Sequence, residues 1–242
     1  MLLRGTEISP TLRARLAGGA YVITIVCGIF AEAVARGSLI VSSDAAATAR
    51  NILASQTLFR AGLVADLITV ASYMAVTLLL YELLAPVSRR LSLLAAIFSL
   101  VGITTLTVDS LAHIAALLLV QGPQYLAAFS SDQLAAMALF SLKLHTQGYE
   151  VSGVFFGTYC ILLGWMIVRS TYLPRAIGVL MVIAGAAYLI DDLTSLLALW
   201  RGNFILDNLS FLGLLGEAAL TVWLLVRGVD AVRWYQRKET LR

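Results

Sequence analysis

The chain has 242 residues, of which 60% are hydrophobic and 13% charged, about half the charged share of a soluble globular domain. A soluble fold of this length cannot hide so much apolar surface, so the composition excludes soluble-enzyme chemistry and predicts a membrane-embedded chain. The net charge of +3 is divided by side of the bilayer rather than gathered into one basic patch, and nucleic acid is not implied.

Crossing about 30 Å of hydrocarbon takes roughly 20 apolar residues, and six such runs occur, at about 16–36, 58–85, 91–120, 149–169, 175–199 and 205–227. Ser9 is placed to cap the first helix, with Pro10 in its first turn. The same stretch has a basic flank and small residues at Ala33 and Ala35, as a signal peptide does; an uncleaved first helix is the expectation. Pro10, Pro86, Pro123 and Pro174 fall in connections or at helix starts, so no span is expected to be interrupted in the manner of many transporters. Two connections, residues 43–56 and 131–147, are expected to form short amphipathic segments along the outer interface. Asp44 and Asp132 read as caps, and Ser130 with Gln133 has capping-box spacing. The predicted fold is an all-α membrane protein, one domain over residues 1–242, with six transmembrane helices in a single bundle.

Orientation follows from the basic residues of the short loops. With the N-terminus in the cytosol, twelve Lys and Arg fall on that side, among them Arg89, Arg90, Arg169, Arg175, Arg233 and Arg237. Five fall elsewhere: Arg36, Arg50, Arg60, Lys143 and Arg201. With the acids included, the cytosolic side carries +8 and the rest −5. Both termini are therefore expected in the cytosol.

Ionisable side chains within a bilayer face the bundle interior, pair with one another or mark function. At 1.5 Å per residue, Glu32, Asp66, Asp109, His113, Glu150 and Asp207 come out about 26–31 Å above the inner ends of their helices, with Asp191 and Asp192 slightly lower. Glu217 stands about 15 Å up, near the midplane, where a carboxyl group needs a proton, water or a polar partner. The expected ligand-binding set is Glu32, Asp66, Asp109, His113, Glu150, Asp191 and Glu217. Asp109 and His113 are one turn apart on one face. With His145 they form the expected metal-ligand group for a divalent metal, which Glu150, Asp66 or Asp191 could complete. A satisfied histidine paired to an aspartate is the plainer alternative. Two histidines on one side also admit a haem, but His145 lies on a segment expected to be interfacial. Gly153, Gly157 and Gly164 form a small-residue stripe for close helix packing, and Tyr21, Tyr73, Tyr149, Tyr159 and Tyr188 are placed to help satisfy the acids. Cys27 and Cys160 stand alone and read as free thiols.

The stretches RLAGGAYVITIVCGIFAEAVARGSLIV (15–41), DAAATARNILASQTLFRAGLVADL (44–67), LKLHTQGYEVSGVFFG (142–157) and YLPRAIGVLMVIAGAAYLIDD (172–192) resemble a bacterial membrane family catalogued as domain of unknown function 4386. The resemblance covers nearly the whole chain and implies a cytoplasmic-membrane location, with no activity attached. Three functions stay open on sequence: binding of a cation or amphiphilic molecule in an outward-facing acidic pocket, metal-dependent hydrolysis of lipids within the membrane, and a structural role in a homo-oligomer or larger membrane complex. Membrane lipids are the expected partners.

Overall fold

A computed structural model describes residues 8–198 and 209–240, the side chain of Ser210 apart. Glu7, Arg201 and Asp207, together with the outer ends of the last two expected spans, lie outside the described residues. Every regular element among the described residues is helical: α1 (Pro10–Leu39), α2 (Ala45–Ala54), α3 (Gln56–Leu84), α4 (Arg89–Gln121), α5 (Ser131–Arg169), α6 (Arg175–Leu196), α7 (Leu209–Val226) and α8 (Ala231–Glu239). Helices α1, α3, α4, α5 and α6 are each long and apolar enough to cross a membrane, and α7 with α8 forms a pair bent by 101°. Only 28–44% of the most apolar stretch of each of those five is buried inside the protein. The exposed remainder, including Val26, Leu78, Val108 and Leu111, requires a nonpolar solvent. The chain is a multi-pass helical membrane protein.

Local chemistry sets the element boundaries. Asp44 caps α2 by accepting from Ala47 N–H at 2.8 Å. Ser130 and Gln133 exchange the two bonds of a capping box, Ser130 N–H to Gln133 Oε1 at 2.8 Å and Gln133 N–H to Ser130 Oγ at 3.2 Å. The cap of α5 is thus Ser130, and Asp132 stands in the first turn. One expectation changes here: residues 131–147 continue without interruption into the fourth span as a single 39-residue helix. No proline separates them, and Gly148 on its own weakens a helix by only about 1 kcal/mol, which packing on both sides of it outweighs. Gly228, at φ +67°, ends α7 and admits the turn into α8.

The helices contribute to two compact units, one built from residues 8–22, 73–102, 153–198 and 209–240, the other from Ile23–Ser72 and Ile103–Ser152. In the first, α5 and α6 meet through glycines in antiparallel register. A Cβ on Gly157 would lie 2.8 Å from Gly185 O, and one on Gly178 would lie 2.7 Å from Gly164 O. The expected packing stripe is therefore matched by a second one on α6. In the second unit, Leu39, Ile52, Phe59, Ala116, Leu117, Ala138 and Leu142 form an apolar core. The turn before α2 is tied by Thr48, whose hydroxyl accepts from Val41 N–H at 2.9 Å.

Candidate metal centre

The second unit brings Asp66 of α3, Asp109 and His113 of α4, and His145 of α5 together. His113 is 1% exposed. Its ring stacks on Phe59 with centroids 4.0 Å apart, and its Nε2 lies 3.1 Å from Phe59 O. A carbonyl only accepts, so Nε2 carries the proton and Nδ1 is left with a lone pair. His145 is 5% exposed. Its Nδ1 lies 2.6 Å from Asp109 Oδ2 and 3.3 Å from the Asp109 backbone oxygen. Both neighbours are acceptors, so Nδ1 carries a proton here, and in the neutral ring Nε2 has the lone pair.

His113 Nδ1 and His145 Nε2 are both buried without a hydrogen-bond partner among the described residues. The two rings stand edge to face with centroids 5.8 Å apart, and two lone pairs cannot satisfy each other. Leaving a buried acceptor unmet costs about 1–3 kcal/mol. One ligand atom from each of Asp66, His113 and His145 falls within a sphere of mutual distances no greater than 4.8 Å. The donor atoms of one tetrahedral zinc stand about 3.3 Å apart, so side-chain adjustments of about an ångström close the set.

Asp66 is held from behind. Arg36, 4% exposed, meets it with two prongs, Nη1 to Oδ2 at 2.5 Å and Nη2 to Oδ1 at 3.2 Å, and reaches Glu32 Oε2 through Nε at 2.9 Å. A carboxylate oxygen accepts more than one partner, so Asp66 can serve Arg36 and a metal together. Arg36 closes a π-helical stretch, Phe30–Arg36, in which Gly37 N–H bonds to Glu32 O five residues back. Such widened turns recur at functional sites. Two glycines make the close approaches possible. A Cβ on Gly62 would lie 2.7 Å from Ala35 Cβ and 3.9 Å from His113 Cε1, and a Cβ on Gly148 would collide with the Asp109 carboxylate.

Glu217 belongs to the first unit, where three tyrosines surround it. Tyr21 donates to Oε1 at 2.8 Å, Tyr73 to Oε1 at 3.3 Å and Tyr188 to Oε2 at 2.9 Å. Tyr73 Oη also lies 3.0 Å from Tyr21 Oη, and with one proton per hydroxyl Tyr73 divides its own between Tyr21 and Glu217. Glu217 is 8% exposed. Gly213, one turn before it, makes room for the Tyr188 ring, which a Cβ would overlap.

Of the expected ligand-binding residues, Asp66, Asp109 and His113 thus gather in the second unit with His145. Glu32 joins through Arg36, and Glu150 accepts from Gln147 Nε2 at 2.8 Å. Asp191 and Glu217 belong to the first unit. Within the expected metal group, His113 and His145 come together with Asp66, whose ligand atoms could hold a metal ion with theirs, while Asp109 stands behind His145. The roles of Arg36, Gly62 and Gly148 were missed in the sequence. A glycine one turn from a histidine or an acid is the available signal, and it is weak without the neighbouring helix.

The model of a single family matches residues 16–228, described as domain of unknown function (DUF4386). The chain belongs to that family. An uncharacterized protein of Archaeoglobus fulgidus is 27% identical over 156 residues, which cover 63% of this chain and 75% of that protein. No solved structure matches. Within this DUF4386 chain, the buried histidine pair is the feature that asks for a chemical explanation.

Proposed function

We infer that this DUF4386 protein is a membrane metalloprotein that holds one divalent first-row transition metal, with Asp66, His113 and His145 as ligands and Asp109 as the positioning residue for His145. The observation that carries this reading is the pair of buried imidazole lone pairs beside a carboxylate. Two nitrogens and one oxygen suit zinc or ferrous iron rather than the all-oxygen preference of magnesium or calcium. The carboxylate behind His145 is the second partner that fixes the tautomer of a ligating imidazole. Three protein ligands leave a coordination position for water or a substrate group, as reactive metal sites do. A cation is favoured over an amphiphilic ligand because ligand atoms of two imidazoles and a carboxylate lie within 4.8 Å of one another. Loop charge supports a cytoplasmic-membrane orientation with both termini in the cytosol and the centre toward the outer half.

The test is elemental analysis of protein purified in detergent without added metal, beside His113→Ala, His145→Ala and Asp66→Asn. About one equivalent of zinc, iron or manganese in the wild type, lost in each variant, is expected. Substoichiometric metal that the three variants leave unchanged overturns the reading.

A further inference from the structure

Glu217 is a buried ionisable group that the histidine centre does not use. It stands about 15 Å from the inner end of its span, near the midplane, and is 8% exposed. Among the described residues no Lys, Arg or His forms an ion pair with it. Phenols surround it instead: Tyr21 of α1, Tyr73 of α3 and Tyr188 of α6 each bring a hydroxyl within 3.3 Å of a carboxyl oxygen. Helix α5 adds the Tyr159 ring, 6.0 Å from that of Tyr73, and next in the chain the Cys160 thiol, both buried. A carboxylate without a counter-ion is expensive to bury, and hydroxyl donors offset part of that cost.

Three of the oxygens close a triangle. Glu217 Oε1 lies 2.8 Å from Tyr21 Oη, Tyr21 Oη lies 3.0 Å from Tyr73 Oη, and Tyr73 Oη lies 3.3 Å from Glu217 Oε1. With Glu217 ionised, the triangle holds one proton from each of its two phenols: Tyr21 donates to Oε1, and Tyr73 turns to either corner. A further proton has a place without any movement of heavy atoms. Set on Oε1, it is donated to Tyr73 Oη; Tyr73 donates to Tyr21 Oη, and Tyr21 donates back to Oε1. Each side then carries one hydrogen bond, and no hydroxyl is left unmet. Oε2 remains an acceptor for Tyr188 in both states.

We propose that Glu217, Tyr21 and Tyr73 form a reversible proton-binding site, which takes one proton from water onto Glu217 Oε1 and returns it with no other covalent bond made or broken. The triangle suits a proton better than a metal ion: its oxygens already meet through their hydrogens, which a metal would have to displace. Gly213 keeps the Tyr188 donor in place, since a Cβ there would overlap its ring.

The test is infrared difference spectroscopy of the detergent-purified full chain, recorded on acidification and on return. The wild type is expected to gain the carbonyl stretch of a neutral carboxylic acid on acidification and to lose it on return, with the band shifted in heavy water. That band should be absent from Glu217→Gln. In Tyr188→Phe it should persist at higher frequency, because the carbonyl oxygen Oε2 loses its donor. Tyr235→Phe, which removes an exposed phenol of α8, should leave it unchanged. If Glu217→Gln does not fold, the frequency shift in Tyr188→Phe decides on its own. Identical spectra from the wild type and Glu217→Gln, a Tyr188→Phe band at the wild-type frequency, or a Glu217 band that acidification does not change would each overturn the site.

Discussion

Gly148 leaves the space that the Asp109 carboxylate fills: a Cβ at position 148 would run into Asp109 Oδ1. Because Asp109 Oδ2 sits 2.6 Å from His145 Nδ1, the missing methyl group on α5 is what lets α4 hold the imidazole. Gly148→Ala should therefore push Asp109 off His145 and weaken metal binding by about 10–100-fold, the usual effect of losing an outer-shell partner. Gly19→Ala is the control, since nothing lies within 4 Å of its Cβ. Chelator competition measures both, and equal affinities in the two variants would remove the role given to Gly148.

Arg36 and Asp66 make a buried two-pronged pair. Arg36→Met leaves the Asp66 charge without its partner and should cost about 3–5 kcal/mol. Arg36→Met/Asp66→Asn should recover part of that loss, because the stranded charge is gone. Arg36→Lys should fall between, since an ammonium cannot reproduce the fork. Thermal unfolding in detergent separates these variants; a double variant no more stable than Arg36→Met would contradict the pairing.

Glu217 accepts from three tyrosines. In Glu217→Gln one acceptor oxygen becomes a donor, so a tyrosine hydroxyl must turn or go unmet, at about 1–3 kcal/mol. Tyr188→Phe should cost about 1 kcal/mol. Both variants should keep full metal content, because neither residue belongs to the histidine centre. Loss of metal from Glu217→Gln would place Glu217 in the metal's coordination sphere.

Imidazole nitrogens bind metal only when unprotonated. Protons compete with the metal for the ligand nitrogens of His113 and His145, so affinity should fall as the solution is acidified. Metal retained on dialysis at neutral pH and released on acidification is the expected pattern. Equal retention at both would point away from histidine ligands.

How much of this was legible in the sequence depended on the range of the interaction. Local rules located the apolar spans, the Asp44 cap, the Ser130 and Gln133 capping box, and the one-turn spacing of Asp109 and His113. A rise per residue gives the height of a side chain but not the direction it faces. For that reason Glu217 could be placed along its helix and yet was put in one expected binding set with Asp66 and His113. The partners of Glu217 come from positions 21, 73 and 188, and no local pattern joins them. Nor does local spacing join Arg36 to Asp66, 30 residues away, whereas Glu32 stands one turn before Arg36 on the same helix. The unbroken α5 was hidden for a similar reason: packing on both sides of Gly148 decides whether that glycine ends a helix.

The most direct measurement is X-ray absorption at the zinc edge of the zinc-loaded protein. Two imidazole ligands with oxygen completing the shell, at about 2.0–2.2 Å, are predicted, with one imidazole signal lost in His145→Ala. A spectrum free of imidazole scattering, or one that His113→Ala and His145→Ala both leave unchanged, would contradict the metal centre.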